Sequence, residues 1–159
     1  MKKVLLTFFV LLIVVAGVYY TRNYMKGGQV LSVFKKPAMV TIDNQSFNVT
    51  IARSEKEHEI GLSGTKSLDR NQGMMFLFNN PGYYSFWMKD MKFPIDIIFI
   101  NNDQIVTIYN DAPIIKGQEN LIAYPPTQMA DKVLEIQAGL SKKYSFKIGD
   151  KVKYENFGN

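Results

Sequence analysis

The chain opens on a hydrophobic stretch with no polar interruption by charge. Met1-Lys2-Lys3 precedes Val4 to Tyr20, a run of 17 residues with no charged side chain. As a helix this run would measure about 25 Å, at the short end for a membrane span and slightly long for a signal-peptide core. It is apolar on all sides and sits at the extreme terminus, which does not suit a helix buried in a globular core. The pattern predicts a signal anchor or transmembrane helix over residues 1–20, with Tyr19, Tyr20 and Tyr24 at the interface. Residues 21–36 read as a linker, flexible at Gly27-Gly28 and closed by Lys35-Lys36-Pro37.

From residue 37 the pattern changes to short alternating runs, and these predict a single globular β-rich domain over 37–159. Met39 to Ile42 and Phe47 to Ile51 flank Asp43-Asn44-Gln45-Ser46, a hairpin signal in which Phe47, Val49 and Ile51 face the core and Asn48 and Thr50 face away. Ser54-Glu55-Lys56-Glu57 has the form of a capping box and starts a short helix over 54–62, which Gly61 or Gly64 can end. Met74 to Phe78 is a continuous apolar run broken at Asn79-Asn80-Pro81-Gly82, and Tyr83 to Met88 is aromatic and strand-like. Ile95 to Ile100 and Gln104 to Tyr109 flank a second hairpin turn. A looser stretch follows to Pro126, then a brief turn that Thr127 can cap, a strand from Lys132 to Ala138, a turn at Gly149-Asp150 and a last strand from Lys151 to Tyr154. About eight short strands with one or two short helices imply a compact barrel- or sandwich-like sheet, mainly β.

Charge sharpens this picture. Six of the 19 basic residues precede Pro37 and no acidic residue does, so 13 Lys and Arg remain against 14 Asp and Glu in the domain. The basic surplus flanks the apolar segment, where cations meet anionic headgroups, and a basic groove for nucleic acid is not expected. Lys2 and Lys3 favour a cytoplasmic N-terminus, which puts the domain on the extracytoplasmic side, periplasmic or at the cell surface. The chain has no cysteine, which removes disulfides, thiolate nucleophiles, Cys-ligated zinc and iron–sulfur clusters. With one histidine, His58, a multi-His zinc site cannot form within one chain. No residue set for a cofactor stands out.

Several landmarks occur in order: Gly61-Leu62, Gly73-Met74-Met75-Phe76, Phe86-Trp87-Met88-Lys89, Pro94 to Phe99, Val133-Leu134-Glu135, Ala138-Gly139 and Gly149-Asp150. Together they resemble the domain-of-unknown-function 192 family, found in bacteria and archaea and often exported, over roughly Val40 to Val152. The resemblance implies a compact, mainly β fold and supplies no activity. Departures from the family pattern are Asp90-Met91 for Asn-Thr, Ser63 for Met, Thr65 for Arg and His58 for Arg. They imply that any family-wide polar site is altered in this member.

Candidate chemistry concentrates between Trp87 and Asp96. Trp87, Lys89, Asp90 and Asp96 lie within ten residues around Pro94, and an aromatic ring beside a cation and a carboxylate is a frequent composition for a small-ligand pocket. In a strand, Trp87, Lys89 and Met91 would share one face. Alternatively Trp87 is core, Lys89 is solvated and Asp96 satisfies backbone amides in a turn. Glu135 interrupts an apolar strand and points opposite to Leu134 and Ile136. If that face is covered, it is a buried carboxylate needing a partner such as Lys89, Lys92 or Arg53. The expected binding set is therefore Trp87, Lys89, Asp90, Asp96 and Glu135, with Glu59 and Gly61 as neighbours. The leading expectation is a membrane-tethered domain that binds a small molecule, a cell-envelope glycan or a partner protein. One alternative is a cell-envelope hydrolase using Asp96 and Glu135. Another is a copper-handling domain using Met88, Met91 and His58, although methionines three apart do not share a strand face. Ser63 follows a helix in place of a strand and does not fit a nucleophile elbow, and His58 is expected to be solvated.

Overall fold

The computed structural model describes residues 13–19, 36–114 and 122–158. The chain forms two compact units, 1–36 and 37–159. In the first, residues 13–19 are helical with exposed side chains. The remainder of the expected anchor, and the expected linker up to residue 35, lie outside the described residues. No helix among the described residues is long and apolar enough to cross a membrane.

The second unit is mainly β. Its strands are β1 (Ala38–Ile42), β2 (Gln45–Ala52), β3 (Gln72–Gly82), β4 (Phe86–Trp87), β5 (Ile95–Asn101), β6 (Gln104–Ala112), β7 (Ala123–Tyr124), β8 (Ala130–Gln137) and β9 (Val152–Glu155). Among its described residues there are also two short helices, α1 (Glu55–Ile60) and α2 (Leu140–Lys143). Seven strands form one sheet in the order β6-β5-β8-β3-β2-β1-β9, and β4 pairs with β7 in a small second sheet. Every neighbouring pair is antiparallel except β2 and β3, which run parallel because the chain returns between them through α1. The large sheet curls until its two edge strands touch at one end. Gln104 bridges Lys151, the Ile105 amide donates to Asp150 O (3.1 Å) and the Val152 amide donates to Asp103 O (2.8 Å). Such contact covers edge groups that would otherwise be open to pairing with another chain.

Both faces of the curled sheet are covered, and this explains the strand sequences. Val40, Ile42, Phe47, Val49, Met75, Ile98, Ile100, Leu134 and Ile136 fill the inner face, together with Leu140, Phe146 and Val152. Met74, Phe76, Ile95, Ile97, Phe99 and Val133 point to the outer face, where Leu62, Met88, Met91 and Tyr124 lie over them. A central strand buried on both sides needs apolar residues at successive positions in place of alternation, and Ile95 to Ile100 is buried throughout. Two adjacent-strand carboxylates are buried with it, Asp96 and Glu135.

The structure refines several sequence expectations. β3 continues through Asn79-Asn80-Pro81 to Gly82, because this end is exposed and the pairing with β8 shifts register between Leu77 and Gly82; a proline costs no ladder hydrogen bond there. The expected strand Tyr83 to Met88 shrinks to Phe86–Trp87, paired with Ala123–Tyr124 in the stretch expected to be loose. The Thr127 side chain does not cap a turn: its hydroxyl lies 2.8 Å from that of Thr107. The capping box forms as expected, and Gly61 takes positive φ at the end of α1.

Candidate functional site

The carboxylate of Asp96 is fully buried and accepts three backbone amides, from Asp111 (2.8 Å), Gly139 (3.0 Å) and Ser141 (2.7 Å). It ties the start of β5 to the end of β6 and to the turn entering α2. Asp111 and Gly139 both adopt positive φ there, so the anchor holds backbone that would otherwise relax. This is the turn-satisfying role that the sequence allows for Asp96.

Glu135 is the opposite case. Register pairs Ile97 with Glu135 and Asp96 with Ile136, and residues directly across a ladder share a face. Glu135 therefore points to the outer face and Asp96 to the inner one. This corrects the expectation that the two acids belong to one binding set, and it removes the geometry that a hydrolase using Asp96 and Glu135 together needs. Glu135 is 4% exposed, and its Oε2 has no hydrogen-bond partner. None of the expected cations pairs with it. Arg53 donates instead to the carbonyls of Phe157 and Gly158, Lys92 is exposed, and no ion pair among the described residues involves Glu135. Burial pushes its carboxyl up to about 8, since desolvation penalises the charged form.

The side chain of Glu135 reaches a cavity of about 180 Å³ between α1, β3 and the segment 84–91. Phe76, Phe78, Tyr84, Phe86 and Trp87 line it, with His58, Glu59, Gly61, Ser63, Lys89 and Met91 among the other residues of its wall. The rings support one another. Phe78 stacks on Tyr84 (centroids 3.8 Å apart), His58 lies 4.6 Å from Phe78, and Phe86 meets Phe76 edge to face at 4.8 Å. The outer segment is clipped to the loop after α1, since Ser63 Oγ donates to Lys89 O (3.0 Å) and the Gly64 amide donates to Asp90 O (3.2 Å). Trp87 stands at the cavity with 51% of its surface exposed.

Helix α1 is held by its cap. Glu57 Oε2 accepts from the amides of Ser54 and Arg53 (2.9 Å each), and these bonds hold the Glu57 carboxyl down to about 2. The cap fixes the turn that carries His58 and Glu59 into the cavity wall. His58 is half-buried in place of solvated, because α1 lies over β3. Its Nε2–H donates to Ala52 O (3.2 Å) and its ring lies against Phe76 and Phe78.

Residues 38–154 match the DUF192 family, described as an "Uncharacterized ACR". The chain belongs to the DUF192 family. A search of curated proteins finds no match. Among solved structures it is similar to a protein of unknown function from Novosphingobium aromaticivorans, at 32% identity with a TM-score of 0.66, covering 74% of this chain and 83% of that one. It shares its fold with a Sinorhizobium meliloti protein suggested to be a transcription regulator, at 24% identity and a TM-score of 0.64, covering 76% of this chain and 93% of that one.

Within this DUF192 domain the expected site residues separate into two groups. Trp87, Lys89, Glu135, Glu59 and Gly61 line the cavity; Asp90 and Asp96 do not. Three of the five departures from the family pattern, His58, Ser63 and Met91, also line it. Met88 and Met91 both pack in the outer core, and of the two only Met91 also lines the cavity. Among the described residues no group of three or more His, Cys, Asp or Glu could hold a metal. The sequence reading missed Phe76, Phe78, Tyr84 and Phe86. The available signal was the spacing of Phe76 and Phe78, which puts both on one strand face with Met74.

Proposed function

We propose that the DUF192 domain is a binding module that takes a small molecule in the cavity beneath Trp87. The observation that carries this reading is the buried Glu135 Oε2, which has no hydrogen-bond partner and stands at an aromatic-walled cavity. A buried polar group without a partner costs about 1–3 kcal/mol, and a ligand donor at that atom would offset the cost. Convergence of a few polar groups within a mostly apolar wall is the usual composition of a small-ligand site. The N-terminal apolar segment and its basic flank support a tether that holds the module on the extracytoplasmic face of a membrane.

The chain's only tryptophan lies at the cavity, so its fluorescence is a direct reporter. A fragment library screened against the full-length chain should yield compounds that shift Trp87 emission saturably and raise Tm. The same compounds should lose binding in Trp87→Ala and Glu135→Leu. Hits that bind these variants as well as they bind the parent chain would place the site elsewhere and defeat the reading.

A further inference from the structure

We infer that the ligand of this cavity is a small organic ammonium ion, seated against the Glu135 carboxylate and the faces of the surrounding rings. The inference rests on the binding reading above and specifies its chemistry. The unpartnered, nine-tenths-buried carboxyl oxygen of Glu135 is an acceptor with no cation of its own. Its ladder neighbours, Met74 on β3 and Ile97 on β5, carry no charge. Around the same space stand Phe76, Tyr84, Phe86 and Trp87, with Phe78 stacked behind Tyr84; aromatic π faces attract cations, most strongly where water is excluded.

The other titratable groups at the cavity are consistent with this. Glu59 from α1 adds a second carboxylate, and an anionic ligand would meet both acids. His58, also from α1, has its Nε2–H engaged with Ala52 O, so in the neutral ring Nδ1 is an acceptor. Lys89 is the one lysine or arginine lining the cavity and is exposed, so its ammonium is free to remain in water. Tyr84 is held by its hydroxyl, which donates to Asn80 O (2.9 Å). A cavity of about 180 Å³ is smaller than the roughly 300–1,000 Å³ of drug-sized sites, which limits the ligand to a compact cation.

Binding is coupled to a proton. In the free protein at neutral pH burial keeps Glu135 protonated, with its carboxyl raised to about 8, and the cation favours the carboxylate. Each ion bound at pH 7 therefore releases close to one proton from Glu135.

The test titrates the full-length chain with choline, tetramethylammonium, the uncharged choline isostere 3,3-dimethylbutan-1-ol, and propionate, following Trp87 emission and calorimetry in two buffers of different ionisation heat. The expected result is a choline affinity at least about tenfold above that of the isostere, rising about tenfold from pH 6 to 7 and flattening through 8, with proton release. Glu135→Gln should lose that advantage and the pH dependence while still binding the isostere. Equal affinity for choline and the isostere would overturn the ammonium assignment and leave the binding reading standing. So would tighter propionate binding, or choline binding without proton release. Absence of any response to the ammonium ions overturns it too, and if the fragment library is also silent the binding reading falls with it.

Discussion

Asp96 and Glu135 make a controlled comparison inside one sheet. They lie on adjacent strands, one register step apart, and both are buried, at 0% and 4% exposure. Asp96 faces inward and meets three backbone amides, while Glu135 faces outward and its Oε2 meets none. Burial alone does not mark a functional acid. What marks it is where its hydrogen bonds go: a fully satisfied carboxylate is an anchor, and an unsatisfied one beside a cavity is an acceptor waiting for a partner.

The largest effect should come from breaking the satisfied side. Asp96→Ala leaves the amides of Asp111, Gly139 and Ser141 without their acceptor and should cost about 3–5 kcal/mol in urea denaturation, by the precedent of buried charge networks. A loss below about 1 kcal/mol would mean the three bonds do not anchor the turn. Next comes the strand contact beside Glu135. At Gly73 an added Cβ would lie 2.8 Å from Glu135 O and 3.2 Å from side-chain carbons of Leu134 and Ile136, so β3 and β8 must part. Gly73→Ala should cost about 1–3 kcal/mol and should shift Trp87 emission if the strain reaches the cavity wall.

The unsatisfied side should show itself through pH. Glu135 has its carboxyl raised from 4.5 to about 8 in the folded chain. Between those values the unfolded chain has released the proton and the folded one retains it, so the folded state binds more protons. Its contribution is fully present below about pH 4.5 and is lost as pH rises through 8, at up to about 1.4 kcal/mol per pH unit. Glu135→Gln should flatten this slope and be more stable than the parent at pH 8. Parallel profiles for the two proteins in denaturant melts would show that Glu135 ionises freely and is not desolvated.

This difference between the two acids was half legible in the sequence. Val133, Leu134 and Ile136 around Glu135 already imply that it faces away from the Leu134 side. Asp96 lies in a run that is apolar on both sides, Ile95 and Ile97 to Ile100, and such a run carries no face information. Only the register with β8 shows that the two acids diverge. The hairpin, the capping box and the β-rich class were readable because each depends on neighbours in sequence. Helix α2 was not, since it has four residues and no side-chain cap. The cavity wall was readable in part: Trp87 and Lys89 stand out by chemistry, but Phe76 and Phe78 read as core until the segment 84–91 and α1 are placed over them.

The smallest expected stability effect belongs to Trp87, and it separates wall from core. Trp87 sits on a two-residue strand, pairs with Ala123 and keeps half its surface in water. Trp87→Ala should therefore change stability by less than about 1 kcal/mol, in the range of surface substitutions away from special contacts. Buried aromatic truncation, by contrast, costs about 3–5 kcal/mol, and Phe76→Ala should approach that figure. If Trp87 is instead as costly to remove as Phe76, its ring is supporting the outer core, and the case for a ligand contact there fails. A mild loss of stability combined with a tenfold or greater loss of choline affinity, read by calorimetry because the fluorophore is gone, is the pattern only a binding wall produces.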